Sequence, residues 1–273
     1  MAKILSILKP FLKFKLILSY GIFYTSFSVA ENVEDLPEIS SGSFIIEQSE
    51  GGSNNPRLIN KFEEYLSQNK CNLKVQVFNN IKGNLNTVSN ATDLYFMPLI
   101  EGKQGKQIRL LKAVSQAGDY TQSAIVVRKN AGDKLDTVRG SHVSFVSPAS
   151  KTGYNDQMDL LGRNKIIVDS GNIMFSGNHI GALSLLLHKD VFAAGVDRSL
   201  AEKWLDSNNL KIIGIGSKRE VGGIYSPSDA NINDSRSSGS ASCLKALIKL
   251  SPRDKKHKRL MKVFPDWLTG FSD

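Results

Sequence analysis

The fold is decided by the stretch Val143-Ser-Phe-Val-Ser-Pro-Ala-Ser-Lys-Thr-Gly153. Its alternating apolar start is typical of the end of a strand, and residues 154–161 after it have the pattern of a helix. A helix that begins directly after a strand leaves its first backbone N–H groups without partners. Together with the positive end of the helix dipole, these groups form a site suited to an anion.

Four residues of this turn are suited to such a site. Ser150 and Thr152 supply hydroxyl donors, and Lys151 supplies a positive charge. Gly153 lets the backbone approach a ligand closely, because it has no side chain. The alternative is an ordinary helix cap, since Ser and Thr are preferred at that position in any helix.

The same order of elements returns further along the chain. Residues 173–175 end a short strand, a Ser-Gly-Asn turn follows, and His179 opens a helix over residues 180–188. A strand over residues 191–196 then ends at Asp197. Strands that alternate with helices in this way predict an α/β fold with a doubly wound sheet, whose ligands bind outside the carboxyl ends of the strands.

These motifs resemble those of the phosphonate-binding (PhnD-like) periplasmic solute-binding proteins. That family has a Ser-Thr-Ser-Gly-Tyr-like turn, a Gly-Ser-His helix start and an Asp-Ala-Ala-type strand, in this order and at about this spacing. The matching segments are residues 147–154 (SPASKTGY), 176–179 (SGNH), 192–197 (FAAGVD) and, near the end, 268–271 (LTGF).

The resemblance implies the α/β, two-lobed type II architecture of periplasmic binding proteins, in which two crossing segments form a hinge. We expect lobe one to comprise residues 43–124 and 222–273, and lobe two to comprise residues 125–221. Two short predicted strands, residues 211–215 and 222–225, lead the chain back to lobe one. The lobes of such proteins close on the ligand.

The resemblance also assigns roles in lobe two. The Ser150 and Thr152 hydroxyls and nearby N–H groups hold a phosphonate or phosphate headgroup, while Lys151 replaces the small hydroxylated residue usual in the family. His179 donates a hydrogen bond to the anion, which favours its charged form. Asp197 contacts the positive or polar end of the ligand; the alternative is a plain residue of the turn at a strand end.

In lobe one, Gln48 and Tyr95 are predicted to line the cleft, because each lies at the end of a predicted strand. Two segments depart from the family pattern. Residues 96–99 lack its glycine and following aromatic residue, and residues 101–107 replace a more helical stretch. The contacts of lobe one with the ligand therefore remain open.

Residues 1–30 have the order of a secretory signal peptide: lysines, an apolar run and then Ser-Val-Ala. The alternative is a membrane anchor, but the run is shorter than the roughly 20 apolar residues that a spanning helix needs. The sequence predicts cleavage and a periplasmic protein that starts near Glu31. Without residues 1–30, the chain has 31 basic and 26 acidic residues, an excess compatible with an anionic ligand.

Export bears on the remaining candidates. The basic run at residues 253–259 is predicted to be a solvated helix face, since an exported protein has no nucleic-acid partner. Cys71 and Cys243 either form a disulfide, which an oxidising compartment permits, or remain free thiols. Their spacing matches no zinc site, and no cofactor or metal is expected.

No hydrolase elbow, zinc-protease motif or nucleotide-binding loop occurs in the sequence, which favours binding over catalysis. We therefore predict a binding protein, not an enzyme, that delivers phosphonate, phosphate or phosphite to an inner-membrane ABC permease. The alternatives are a sensor subunit for a membrane receptor and a sulfonate-binding protein. The sequence leaves the choice of anion open.

Overall fold

The computed structural model describes residues 42–78, 93–99, 107–226 and 237–273. The predicted signal peptide, the start near Glu31 and residues 101–106 lie outside these ranges. No helix in the described part of the chain is long and apolar enough to cross a membrane. Ile39–Asp273 form one compact unit, and the predicted lobe boundaries stay a prediction.

Strands and helices alternate over much of the described chain, which confirms the predicted α/β class. The strands are β1 (Ser43–Glu47), β2 (Lys74–Phe78), β3 (Leu94–Leu99), β4 (Ile108–Ser115), β5 (Tyr120–Arg128), β6 (Val143–Phe145), β7 (Ile173–Phe175), β8 (Ala193–Asp197), β9 (Leu210–Ser226) and β10 (Leu268–Ser272). The helices are α1 (Pro56–Gln68), α2 (Asp156–Arg163), α3 (His179–His188), α4 (Arg198–Leu205), α5 (Ser237–Ile248) and α6 (Lys255–Leu260).

The strands form a mixed sheet in the order β2-β1-β3-β9-β5-β8-β6-β7, with β4 paired to β9 and β10. We call β1 to β4, β10 and the end of β9 the first subsheet. The second subsheet consists of β5 to β8 and the start of β9. Strands β1, β2 and β3 are parallel, as are β6, β7 and β8, whereas β9 runs antiparallel to β3, β4 and β5.

Strand β9 joins the two subsheets and corrects one prediction. The two short strands predicted at residues 211–215 and 222–225 are parts of one strand of 17 residues. Its first part pairs with β5, and its last part pairs with β3 and β4. The polar run between the two apolar stretches stays extended because its backbone is paired with β5 as far as Glu220.

Separate apolar cores lie against the two subsheets. The core of the first subsheet is rich in aromatic residues, with Phe62, Phe96 and Phe264 fully buried. Phe264 packs edge-on against the other two rings, with centroids 5.5 and 5.0 Å apart. The second subsheet is packed on two sides, by α3 and α4 in one cluster and by α2 in another.

The disulfide is present: Cys71 and Cys243 are bonded and link the segment after α1 to helix α5. The low-complexity patch at residues 235–242, which we predict to be a loop, is helical from Ser237 onward. The buried later residues Cys243, Ala246 and Leu247 hold α5 on the first core. The basic run forms α6, whose Lys255, Lys258 and Arg259 are exposed.

Candidate functional site

The turn after β6 is a helix start, as predicted, but its first turn is a π-helix over Lys151–Asn155 that continues into α2. Ser150 is the N-cap, and its Oγ accepts a hydrogen bond of 2.7 Å from the Gly153 N–H. Ser150 and Thr152 are fully buried. The cap interpretation is therefore correct for Ser150, and it does not exclude a second role for the same hydroxyl, which can also donate.

A carboxylate already lies on this turn. Both oxygens of Glu50 accept hydrogen bonds from it: Oε1 from the Lys151 N–H at 2.5 Å, and Oε2 from the Thr152 N–H at 3.2 Å. Oε2 also accepts from the hydroxyls of Ser150 at 3.1 Å and Thr152 at 2.5 Å. Glu50 has no exposed surface. A buried carboxylate is costly unless such donors surround it, and here the turn supplies four of them.

The loop that carries Glu50 follows β1 and is fixed at both ends. The Gln48 N–H donates to the Phe78 carbonyl at 2.8 Å, and the Ser53 N–H donates to the Lys262 carbonyl at 2.8 Å. Gly51 and Gly52 have φ values of +92° and +130°, which residues with side chains rarely adopt. These glycines let the loop turn sharply beside Glu50.

The same loop reaches the second predicted turn. A Cβ on Gly51 would lie 3.3 Å from the Cα of Asn178, so the two backbones are close. The Gly177 N–H donates to the Val146 carbonyl at 2.8 Å, which places the 176–179 turn beside the one after β6. The structure therefore brings the two turns together at the ends of β6 and β7, as the sequence predicts.

Gly153 has a packing role within the turn. A Cβ at this position would lie 2.2 Å from Cγ2 of Val146 and 2.6 Å from Oγ of Ser150. Packing within the turn itself therefore requires a residue without a side chain at position 153, whether or not a ligand is bound. Its part in binding stays a prediction.

An ion pair adjoins the turn. Asp156, the first residue of α2, is fully buried, and its Oδ1 and Oδ2 lie 3.2 and 3.1 Å from Nε of Arg219 on β9. The hydrogen bond to Asp156 is the main reason that the pKa of Arg219 is raised, and the charge of Glu50 adds to it. Arg219 is therefore a cation that interacts with three carboxylates, those of Asp156, Asp159 and Glu50.

His179 is the first residue of α3 and is fully buried. Its Nδ1 accepts a hydrogen bond of 3.1 Å from the Asp197 backbone N–H, which assigns the ring proton to Nε2. The charged form that the resemblance implies for a bound anion stays a prediction. Nε2 is buried and has no hydrogen-bond partner among the described residues.

The side chain of Asp197 is engaged within the second subsheet. Its Oδ1 caps α4 by accepting from the Leu200 N–H at 3.0 Å and from the Ser199 hydroxyl at 2.5 Å. Its Oδ2 accepts from the Thr121 hydroxyl. These contacts are those of an ordinary turn residue at the end of a strand, which was the alternative for Asp197. A contact of Asp197 with the ligand stays a prediction.

The two candidates of the first subsheet are both buried. Gln48 donates from Nε2 to the Val263 carbonyl at 3.3 Å and so helps to hold the Glu50 loop. Tyr95 packs with Ile45, Met97 and Tyr225. Burial, with a smaller effect of Asp93, raises the pKa of Tyr95 to about 12, so its hydroxyl is protonated at neutral pH.

Sequence reasoning missed the acidic residues of the site. Glu50 lies two residues after Gln48, in a Gly-rich loop at a strand end, and this position was the available signal. Asp266 was also missed: its Oδ2 accepts from the Ile180 N–H at the start of α3, at 3.2 Å. Glu50 and Asp266 both lie in segments beside the first subsheet. Each accepts hydrogen bonds at the start of a helix that packs on the second subsheet. No group of His, Cys, Asp or Glu able to hold a metal occurs in the described ranges.

The family model described as "ABC transporter, phosphonate, periplasmic substrate-binding protein" matches residues 88–228, more than half of the chain. The chain therefore belongs to this family. Its members are periplasmic substrate-binding proteins, not enzymes, that bind a small ligand and work with the permease components of an ABC transporter. A comparison with curated protein sequences gave no match.

Solved structures of similar fold support the predicted type II architecture. XAC2383 from Xanthomonas citri bound to ATP has 12% identity and a TM-score of 0.54, over 86% of this chain and 91% of that one. PhnD1 from Prochlorococcus marinus in complex with methylphosphonate has 17% identity and a TM-score of 0.51, over 85% of this chain and 93% of that one. The binding protein PA3383 of an ABC phosphonate transporter from Pseudomonas aeruginosa has 15% identity and a TM-score of 0.52, over 85% of this chain and 80% of that one.

Proposed function

We propose that this protein captures a small tetrahedral oxyanion, namely a phosphonate, phosphate or phosphite, at the turn of residues 150–153 and delivers it to an ABC importer. The observation that carries the proposal is the carboxylate of Glu50 on this turn, with four hydrogen bonds from Ser150, Lys151 and Thr152. Two donors are backbone N–H groups at a helix start, which favour any anion.

The donors suit an oxyanion because they converge on oxygens that carry negative charge. The carboxylate stands in for two oxygens of a phosphonate headgroup, since both groups accept charge-assisted hydrogen bonds. A tetrahedral anion has a further oxygen. We assign its donor to Nε2–H of His179, which is buried and lacks a partner among the described residues.

The transport role rests on the family, and export rests on the sequence. We propose that residues 1–30 are removed as a signal peptide and that the mature protein starts near Glu31. N-terminal sequencing of protein from the periplasm of the native host tests this, and a mature form that retains Met1 would contradict it. A genomic neighbourhood with a permease and an ATPase supports import, whereas a receptor kinase there supports the sensor alternative.

The binding proposal is tested by thermal unfolding with methylphosphonate, phosphate, phosphite, sulfate and a sulfonate, each against sodium chloride at equal ionic strength. A ligand at a hundred times its dissociation constant stabilises by about 2.7 kcal/mol. For a chain of this size, we expect a rise in Tm of about 5–10 °C with the preferred anion. A preference for the sulfonate changes the ligand class, and no specific rise with any anion contradicts the proposal.

A further inference from the structure

We infer that Glu50 is the residue that sets the affinity of the anion site, because its carboxylate occupies the place of the ligand's anionic group and has to leave before a ligand binds. This inference rests on the proposed function. It is carried by the hydrogen bonds between Glu50 and the turn and by the complete burial of Glu50.

The first argument is the number of hydrogens on the turn. The Lys151 N–H, the Thr152 N–H and the two hydroxyls each have one hydrogen to donate. All four point to Glu50 oxygens. A phosphonate oxygen therefore cannot accept from any of these four donors until the Glu50 carboxylate moves away.

The second argument is charge. Asp156 is fully buried at the start of α2, beside the same turn, and Arg219 lies close enough to both carboxylates for each to raise its pKa. A phosphonate bound next to Glu50 and Asp156 adds further negative charge beside two fully buried carboxylates. Like charges at short distance in a buried site repel strongly. Exchange of Glu50 for the ligand keeps the charge of the site close to its present value.

The third argument is the position of Glu50 in the fold. Glu50 belongs to the loop after β1 of the first subsheet, and the turn belongs to the second subsheet. Near it, the Ser147 hydroxyl donates to the Ser49 carbonyl at 3.2 Å. Withdrawal of Glu50 removes most of the polar contact between this loop and the turn, so ligand binding and the contact between the subsheets are coupled.

The test uses the exported protein and the variants Glu50→Gln and Glu50→Ala. Glu50→Gln removes the charge but keeps the shape, and Glu50→Ala removes the acceptor. Glu64→Gln is the matched control, because Glu64 is an exposed acid of α1 and its loss changes the net charge equally. Calorimetry with methylphosphonate, phosphate and phosphite measures affinity, and hydrogen exchange measures the amides of Lys151 and Thr152 without ligand.

We expect both Glu50 variants to bind the preferred anion about tenfold or more tightly than the native protein, since the lost hydrogen bonds are to a charged group. The control should bind as the native protein does. The inference is overturned if the two Glu50 variants fold and bind the anion no more tightly than the native protein does.

The exchange measurement does not depend on a ligand. We expect the two amides to exchange about tenfold or more faster in Glu50→Ala than in the native protein, because they lose their acceptor. Unchanged exchange overturns the inference even if an anion binds. If the two amides exchange faster in Glu50→Ala but neither the native protein nor any variant binds an anion, the proposed function is refuted. Glu50 would then still be the group that occupies the turn.

Discussion

Thr152 donates both its backbone N–H and its hydroxyl to one oxygen of Glu50, Oε2, at 3.2 and 2.5 Å. The two residues are 102 positions apart in the sequence, so this contact joins the loop after β1 to the start of the helix after β6. The hydroxyl and the N–H group of this turn thus hold an anionic group of the chain itself.

The ion pair of Asp156 and Arg219 should matter for stability. Arg219→Ala leaves a fully buried carboxylate without its cation, and we expect a loss of about 1–3 kcal/mol, less than for a wholly buried pair because Arg219 is 35% exposed. Urea unfolding measures this. Arg198→Ala, which breaks an exposed pair with Glu202, is the control and should cost under about 1 kcal/mol. Equal losses would contradict the assigned role.

The disulfide should stabilise the protein. Cys71 and Cys243 are 172 residues apart, and removal of a cross-link over a long loop typically costs about 2–5 kcal/mol. We expect a lower Tm in reductant, measured by calorimetry with the free thiols counted by mass spectrometry. The double variant Cys71→Ser with Cys243→Ser should show the lower Tm in either condition. An unchanged Tm in fully reduced protein would refute the expectation.

Gly153 should tolerate no side chain. Gly153→Ala places a Cβ 2.2 Å from Cγ2 of Val146, and we expect a loss of about 1–3 kcal/mol from overpacking. Gly162→Ala in the same helix is the control, since nothing lies within 4 Å of its Cβ. Alanine there should stabilise by about 0.5–1 kcal/mol. Thermal unfolding distinguishes the two, and a neutral Gly153→Ala would show that the turn adjusts easily.

His179 should have separable structural and binding roles. Asn places an acceptor near the position of Nδ1, so His179→Asn retains the bond from the Asp197 N–H and loses the Nε2 donor. We expect stability within about 1 kcal/mol of the native protein and anion affinity about tenfold weaker. His179→Ala, which lacks both groups, should lose stability as well. Native affinity in His179→Asn would remove this residue from the site.

Local patterns accounted for most of the fold. The strand at residues 173–175 and the helix that begins at His179 lie where the sequence pattern predicts them. The error at β9 has a physical reason, because its polar middle has no apolar alternation and is held by pairing with β5. The helical start at Ser237 was missed because small polar residues are common in loops, and only packing on a distant core decides between the two.

The candidate site was predictable in part. The hydroxyls of Ser150 and Thr152 were found because helix starts after strands carry local signals. Glu50 was not found, because only its place in a Gly-rich loop at a strand end marks it, and its contact with a turn 101 positions away leaves no local pattern. The tautomer of His179 depends on a hydrogen bond from the Asp197 backbone, which only the folded arrangement reveals.

The central claim is that the hydroxyls of Ser150 and Thr152 bind the ligand's anionic group. Calorimetry tests it most directly when Ser150→Ala and Thr152→Ala are added to the Glu50→Ala variant, in which no carboxylate competes for the turn, with the anion that most stabilises the native protein. Because hydrogen bonds to a charged group are worth about 1.5–3 kcal/mol each, we expect binding at least tenfold weaker than in Glu50→Ala alone. A folded triple variant with the affinity of Glu50→Ala would contradict the account.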